Sequence, residues 1–332
     1  MSSIANVSII GAGSWGTTIA NLLSSLNNSV TLYHYNHGFI DQLEKTRKHP
    51  HLKDVNISKD IKLTSNIDHI HDANFIFIAV PTNSIRDALN QVSLSQDTPV
   101  ISLSKGIERN THNYPSEIIL NSTNLLKSSI CSLSGPSHAE EVSSRIPTAV
   151  VIAGTNVTLN KKVQELMSCS TFRVYSNTDL KGVEIAGALK NVISIASGIC
   201  IGLQFGDNTI AALITRGLNE IVRLGNIYDA DMSTFYGLAG IGDLSVTAFS
   251  QYSRNRKFGI DIGRGVSPEE SIESMGMVVE GYYTIDALHE IIVANNLEMP
   301  ISNSIYEILY NNLSPKQAIM ELMNRTLTHE NN

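Results

Sequence analysis

The sequence predicts an α/β protein in which a doubly wound sheet is followed by an all-helical second half. Three observations carry that prediction. Short apolar, β-branched runs alternate with helical patterns up to Asn177. A glycine-rich turn, GAGSWG, lies directly after the first of these runs. From Asp179 onward the strand-like runs stop and helical periods follow one another.

Taken in order, strands are expected at NVSII (6–10), SVTLYHY (29–35), ANFIFIAV (73–80), TPVISLS (98–104), SICSLSG (129–135), TAVVIAG (148–154) and FRVYS (172–176). Several are continuously apolar, the pattern of strands buried on both faces of a parallel sheet. Helical stretches such as 14–26 and 84–92 lie between them. The second half reads as helices over 179–203, 207–225, 233–236, 253–263, 267–274, 281–295, 301–312 and 314–324, with Pro300 and Pro315 punctuating the end. The spacing puts a domain boundary near Asn177, giving domains 1–177 and 178–332.

Bulk properties narrow the function classes. A chain of 332 residues, 42% hydrophobic and 17% charged, is an ordinary globular composition with material for two cores. The net charge of −7 comes without a basic stripe, which excludes a nucleic-acid scaffold. An anionic substrate therefore needs a local cluster of positive groups. Cys131, Cys169 and Cys200 are distant and odd in number, which reads as reduced thiols and a cytoplasmic setting. The start MSSIANVSII lacks the basic region of a signal peptide, and the tail NRTLTHENN is polar and expected to fray. The histidine pairs HPH (49–51) and HIH (69–71) lack a full ligand set, so no metal is expected.

Gly11, Gly13 and Gly16 of GAGSWG follow a strand and open a helix. The first permits a tight turn, the second lets backbone approach a pyrophosphate, and the third lets helix and strand pack closely. This is the context of a dinucleotide-binding, Rossmann-like unit. The second strand ends in Tyr33, His34, Tyr35 and Asn36, with no acid to claim a ribose 2′-hydroxyl. That end can admit NADP, although His34 and His37 read equally well as plain surface residues.

LSKGIE places Lys105 at a strand end, where ligands of such sheets bind. In SGPSHAEE, Gly135 and Ser137 offer donors to a substrate oxygen, and Ser137 with Glu140 also fits a helix capping box. In GLAGIGDLSVTAFSQYSRNRKFG, glycines bring backbone to Asp243, then Ser253, Arg254, Asn255, Arg256 and Lys257 open a helix. Helix amides and guanidinium together suit a phosphate, against the plainer reading of a solvated basic helix start. Finally, EIAGALKNVISIASGI (184–199) carries Lys190 amid apolar and small residues. Lys190 and Asn191 interrupt this longest apolar stretch, so no membrane span is expected. Either the lysine snorkels from the wet edge of an amphipathic helix or it has a buried partner and a shifted pKa.

Together, IGAGSWGT, LSKGIE, SGPSHAEE, FRVYSN, GALKNVI, ALITRGL, GLAGIGDL, SRNRKFG and VVEGY resemble the bacterial-type NAD(P)-dependent glycerol-3-phosphate dehydrogenase family, in family order from residue 9 to 282. The resemblance implies a Rossmann domain, a helical domain, and reversible reduction of dihydroxyacetone phosphate to sn-glycerol 3-phosphate for phospholipid synthesis. It makes Lys190 the proton donor and acceptor, with Lys105, Gly135, Ser137, Asp243, Ser253, Arg254 and Asn255 around the substrate. It assigns the cofactor to the glycine motif with Ser14, Trp15, Lys105, Ala139, Arg254, Val278 and Glu280, and to His34 or Tyr35. Many relatives carry a basic residue where this chain reads YHYNHG, which leaves the ribose contact open; the missing acid slightly favours NADPH over NADH. Two alternatives remain: a hydroxyacid dehydrogenase of similar build, and a protein that binds NAD(P) without turnover. A homodimer is expected, and the Gly- and Ala-rich helix 182–202 suits close packing against another helix.

Overall fold

The computed structural model describes residues 4–53, 55–327 and 329–330. The readings of the extreme N-terminal start and of the polar tail fall partly on residues 1–3, 328 and 331–332, outside those described.

The first half is one eight-stranded sheet. Its strands are β1 (Asn6–Ile10), β2 (Ser29–Tyr33), β3 (Lys62–Thr64), β4 (Phe75–Ile78), β5 (Val100–Ser102), β6 (Ile130–Ser134), β7 (Thr148–Gly154) and β8 (Phe172–Asn177). They lie in the order β3-β2-β1-β4-β5-β6-β7-β8. The order reverses beside β1, which opens the crevice where such sheets bind ligands. Helices α1 (Ser14–Ser25), α2 (His37–Thr46), α3 (Ile85–Leu89), α4 (Pro115–Ser122), α5 (Ala139–Ser143) and α6 (Val157–Met167) connect the strands. Residues alternate between two covered faces. Ile9 and Phe77 enter one core, while Ile10, Ile76 and Ile78 enter the other. Burial on both faces is why these strands read as unbroken apolar runs.

The sheet is not wholly parallel: β6 and β7 run antiparallel, with Ser132 opposite Ala153. The link between them, 135–147, holds only the five-residue α5. A parallel return needs a crossover from one end of the sheet to the other. This link stays at the end where β6 finishes. The strands are also shorter than expected at 73–80 and 98–104, and β3 is an additional three-residue edge strand.

The second half is helical: α7 (Leu180–Gly202), α8 (Asp207–Asn226), α9 (Met232–Phe235), α10 (Asp243–Phe249), α11 (Arg254–Gly263), α12 (Pro268–Met275), α13 (Glu280–Ala294), α14 (Pro300–Tyr310) and α15 (Pro315–Met323). Its core is built around α7, buried on every side from Gly182 to Cys200. That overturns the amphipathic reading, since α7 has no wet edge. Among the described residues α7 is the one helix long and apolar enough to cross a bilayer, but 89% of that window is buried inside the protein.

The small residues of α7 serve contacts within the chain. A Cβ at Gly198 would collide with the Arg256 carbonyl and lie 2.9 Å from the Gly259 Cα. The glycines of α7 and α11 thus let the two helices cross almost backbone to backbone. The close packing expected of helix 182–202 against another helix is made with α11 of the same chain.

Candidate active site

The carboxyl ends of β1, β4, β5 and β6 face the N-terminal ends of α10, α11 and α13. The glycine motif lies on one wall. Gly11 has φ +114°, and a Cβ there would sit 2.6 Å from the Ala79 carbonyl oxygen. A Cβ at Gly16 would collide with the Gly11 carbonyl, so α1 rests directly on the turn. Nothing lies within 4 Å of a Cβ at Gly13. The buried Ser14 hydroxyl at the first turn of α1 has no partner. An open face and a spare donor at a helix N-terminus are what a pyrophosphate requires, so these residues fit a dinucleotide. Trp15 packs beside the core behind them.

The centre is a carboxylate shared by two ammoniums. Asp243, the first residue of α10, is 1% exposed. Its Oδ1 accepts from Lys190 Nζ at 2.6 Å and its Oδ2 from Lys105 Nζ at 2.6 Å. Lys190 Nζ also donates to Thr247 Oγ1 at 2.9 Å. Thr247 Oγ1 itself donates a hydrogen bond to the Asp243 carbonyl at 2.6 Å. Two of the three ammonium protons of Lys190 are therefore committed, and one is spare. Lys105 also donates to the Gly135 carbonyl at 3.3 Å.

The electrostatics follow from burial. Desolvation disfavours the charged form of Lys190, and Lys105 adds repulsion. Asp243 opposes both, and the pKa falls to about 8. Burial alone would raise Asp243, but the two lysines hold it below the usual carboxylate range. His138, next to Ser137, is half-buried beside this network, and desolvation and the Lys190 charge pull its pKa to about 4.

A polar relay fixes the lysine loop. The Gly281 N–H donates to Asn255 Oδ1 at 2.9 Å, and Asn255 Nδ2 donates to Asn191 Oδ1 at 3.0 Å. Asn191 Nδ2 then donates to the Lys105 carbonyl at 3.4 Å. Ser253 caps α11 by accepting from the Arg256 N–H at 3.2 Å and meets Ser194 Oγ at 3.0 Å. Arg254 begins α11, its side chain exposed, with one N–H on the Val278 carbonyl at 3.1 Å. Glu280 opens α13 and accepts from the Thr82 N–H at 3.2 Å, and burial raises its pKa to about 7.

Two family models match the chain: NAD-dependent glycerol-3-phosphate dehydrogenase N-terminus over residues 6–160, and its C-terminus over 179–320. The chain belongs to the NAD-dependent glycerol-3-phosphate dehydrogenase family. A glycerol-3-phosphate dehydrogenase [NAD(P)+] of Halothermothrix orenii is 42% identical over 98% of this chain and 96% of its own. Another, of Macrococcus caseolyticus, is 44% identical over 98% and 99%. The crystal structure of glycerol-3-phosphate dehydrogenase from Coxiella burnetii superposes with a TM-score of 0.93 at 33% identity, over 97% of this chain and 99% of that one. A ketopantoate reductase from Ralstonia eutropha shares the fold alone, at 13% identity and a TM-score of 0.63.

Within this glycerol-3-phosphate dehydrogenase fold, the sequence-derived residues fall into two groups. Lys105, Lys190, Asp243 and Gly135 are bonded together. Asn255 lies beside them; its Oδ1 accepts from Gly281 and its Nδ2 gives one N–H to Asn191, which leaves the second Nδ2 hydrogen and the backbone N–H for a substrate. Ser137 is not a helix cap: α5 starts at Ala139 with His138 as its N-cap residue, and Ser137 Oγ donates instead to the Gly135 carbonyl at 2.9 Å. The helix begins one residue too late for the box with Glu140. Ala139, the first residue of α5, accepts from Thr18 Oγ1 at 3.4 Å and so touches α1. His34 and Tyr35 stack at the far end of the cleft, ring centroids 4.7 Å apart.

Thr247 and Asn191 escaped the sequence reading. Asp243 and Thr247 stand one helical turn apart on α10, an i, i+4 spacing that DLSVT displays. The expected helices pass from 233–236 to 253–263 and leave that segment unassigned. Among the described residues, no group of three His, Cys, Asp or Glu gathers at metal spacing.

Proposed function

We propose that the chain catalyses the NAD(P)H-dependent, reversible reduction of dihydroxyacetone phosphate to sn-glycerol 3-phosphate, the backbone precursor of glycerophospholipids. One observation carries the reading: two ammoniums share the buried Asp243, and one of them keeps a spare proton. When bound, the nicotinamide supplies or accepts the hydride. In reduction, Lys190 starts protonated, stabilises the charge growing on the ketone oxygen and delivers its proton there. In oxidation it starts neutral and takes the hydroxyl proton. Thr247 and Asp243 hold its Nζ in place throughout.

Lys105 adds a second positive charge beside the developing alkoxide, and Asp243 offsets the repulsion between the two ammoniums. Arg254 and the first amides of α11, Asn255 among them, hold the phosphate, which fixes the ketone for attack. Gly135, Ser137 and Ser253 complete the substrate side. Gly11, Gly13, Ser14, Trp15, Gly16, Ala139, Val278 and Glu280 form the cofactor side, with His34 and Tyr35 at the adenosine end. NADPH is slightly favoured, because no acid follows β2.

The division at 1–177 and 178–332 belongs to the same reading, as does a cytoplasmic enzyme acting as a homodimer. The exposed Met320, Met323 and Leu327 give a second copy an apolar surface; light scattering on the purified chain tests the stoichiometry. The activity is tested by following the absorbance of the reduced nicotinamide with dihydroxyacetone phosphate and NADH or NADPH. Oxidation of either reduced cofactor supports the reading, and its absence with both overturns it.

A further inference from the structure

The segment carrying Lys105 passes directly from one core to the other. Leu103 is buried in the core of the sheet, and Ile107 in the core of the helical half. Between them Gly106 is wedged at the boundary: a Cβ there would lie 2.8 Å from Thr82 Oγ1 and 3.1 Å from Glu280 Oε2. Lys105 stands at this crossing, so the reach of its ammonium depends on how the crossing is held. Its other tethers are long hydrogen bonds. The Lys105 carbonyl accepts from Asn191 at 3.4 Å, and its Nζ meets the Gly135 carbonyl at 3.3 Å.

Firmer fastenings lie just beyond. Glu108 accepts from both Nε and Nη2 of Arg86 on α3, at 3.1 and 2.8 Å, which ties the segment to the sheet half. Arg109 joins both halves by itself. Its backbone N–H donates to Asn83 Oδ1 at 2.9 Å. Its guanidinium belongs to the helical half: Nε lies 2.9 Å from Asp286 Oδ2 on α13, and Nη2 donates to Tyr310 Oη on α14 at 2.8 Å. The same group sits 4.9 Å from the centre of the Tyr283 ring. Tyr310 is itself fixed, since its hydroxyl donates to the Tyr282 carbonyl at 2.8 Å and its ring stacks on Tyr282 at 5.0 Å. One exposed ion pair contributes little. A planar fork engaged by a carboxylate, a hydroxyl and a ring fixes direction as well as distance.

We propose that Arg109 is a positioning residue for Lys105: by joining Asn83 of the sheet half to Asp286 and Tyr310 of the helical half, it sets the crossing so that the Lys105 ammonium reaches Asp243. The inference deepens the dehydrogenase reading and rests on it only for the catalytic role of the Lys105, Asp243 and Lys190 group. The titratable groups facing Lys190 are Asp243 on α10, Lys105 at the crossing and His138 ahead of α5. If Lys105 retreats, Asp243 is left to Lys190 alone and one repulsion disappears, so Lys190 holds its proton to higher pH. A brace that served stability alone would leave the Lys190 midpoint of the folded protein unchanged.

The test is an NMR titration of the lysine Cε signals from about pH 6.5 to 10, assigned with Lys190→Arg, on the purified chain and its variants; it needs no turnover. Arg109→Ala should move the Lys190 midpoint up by about half a pH unit or more and lower kcat for reduction by about threefold to thirtyfold near neutral pH. Asp286→Asn keeps the arginine and removes its partner, and it carries the test where Arg109→Ala does not fold. By charge alone, losing Asp286 would move the midpoint down, so the upward movement expected here reports Lys105. Lys105→Met should move the midpoint at least as far as Arg109→Ala, and adding Arg109→Ala to it should move it no further. An unchanged or lowered midpoint in whichever of Arg109→Ala and Asp286→Asn folds overturns the proposal. So does a further rise in the double variant, since Arg109 would then act on Lys190 by another route. A wild-type chain that titrates as described but turns over no dihydroxyacetone phosphate refutes the dehydrogenase reading and leaves this test standing.

Discussion

Helix α7 buries two charged side chains less than two turns apart, and they are used in opposite ways. Glu184 has both carboxylate oxygens engaged from within the fold. It takes the Ser116 N–H at 2.8 Å, Ser116 Oγ at 2.6 Å and Ser132 Oγ at 2.7 Å, tying α4 and β6 to α7. Lys190 has Asp243 and Thr247, one proton to spare, and a neighbouring ammonium that works against its own charge. Both charges are costly to bury. The filled one acts as a structural clasp. The unfilled one, beside a cleft, retains the capacity for chemistry. Burial alone does not mark a functional residue; burial with an unused donor does.

The contrast breaks most visibly when each charge is removed. Lys190→Ala should lower kcat by about 10²–10⁴ in both directions, the size of a lost general acid–base group, while the chain stays folded and binds cofactor. Steady-state kinetics alongside cofactor binding check this. Next in size is Arg254→Ala. It should weaken dihydroxyacetone phosphate binding by about 2–5 kcal/mol if the phosphate pair is desolvated, and wild-type enzyme should barely turn over dihydroxyacetone. An unchanged KM would reduce the basic start of α11 to a solvated surface.

Glu184→Ala supplies the other half of the comparison. It strands the Ser116 N–H and two serine hydroxyls, at a cost of about 2–4 kcal/mol of folding stability. Denaturant midpoints should fall, while kcat of the folded enzyme stays close to wild type. The smallest effect is expected at the cofactor end. Asn36 caps α2, accepting from the Phe39 N–H at 2.9 Å. Aspartate caps equally well, so Asn36→Asp should leave the fold intact and penalise NADPH selectively. Equal losses for NADPH and NADH would remove Asn36 from the ribose end.

How much of this was legible in the sequence depends on the range of the interaction. The glycine turn, the strand runs and the switch to helices near Asn177 are local patterns, and they read correctly. Lys105, Lys190 and Asp243 stood out because each broke a local pattern, as a charge amid apolar or glycine-rich sequence. Their convergence on one carboxylate spans 138 residues of chain, and the family resemblance supplied it. The antiparallel β7 was hidden because strand direction depends on where a connection crosses the sheet, not on strand composition. Ser137 misled because capping depends on which residue starts α5. The glycines of α7 likewise predicted close packing without saying that α11, in the same chain, would fill it.

The central claim is that Lys190 gives and takes the substrate proton. The most direct test is the pH dependence of kcat for reduction and oxidation on the wild-type enzyme, from about pH 6.5 to 9.5. A lysine lowered to about 8 loses its proton within that window. Reduction needs the protonated form and should fall as pH rises through the midpoint. Oxidation needs the neutral form and should rise through the same midpoint. Mirror-image profiles sharing one apparent pKa are the predicted result. Profiles that run the same way in both directions, or show no transition in the window, would contradict the assignment of Lys190.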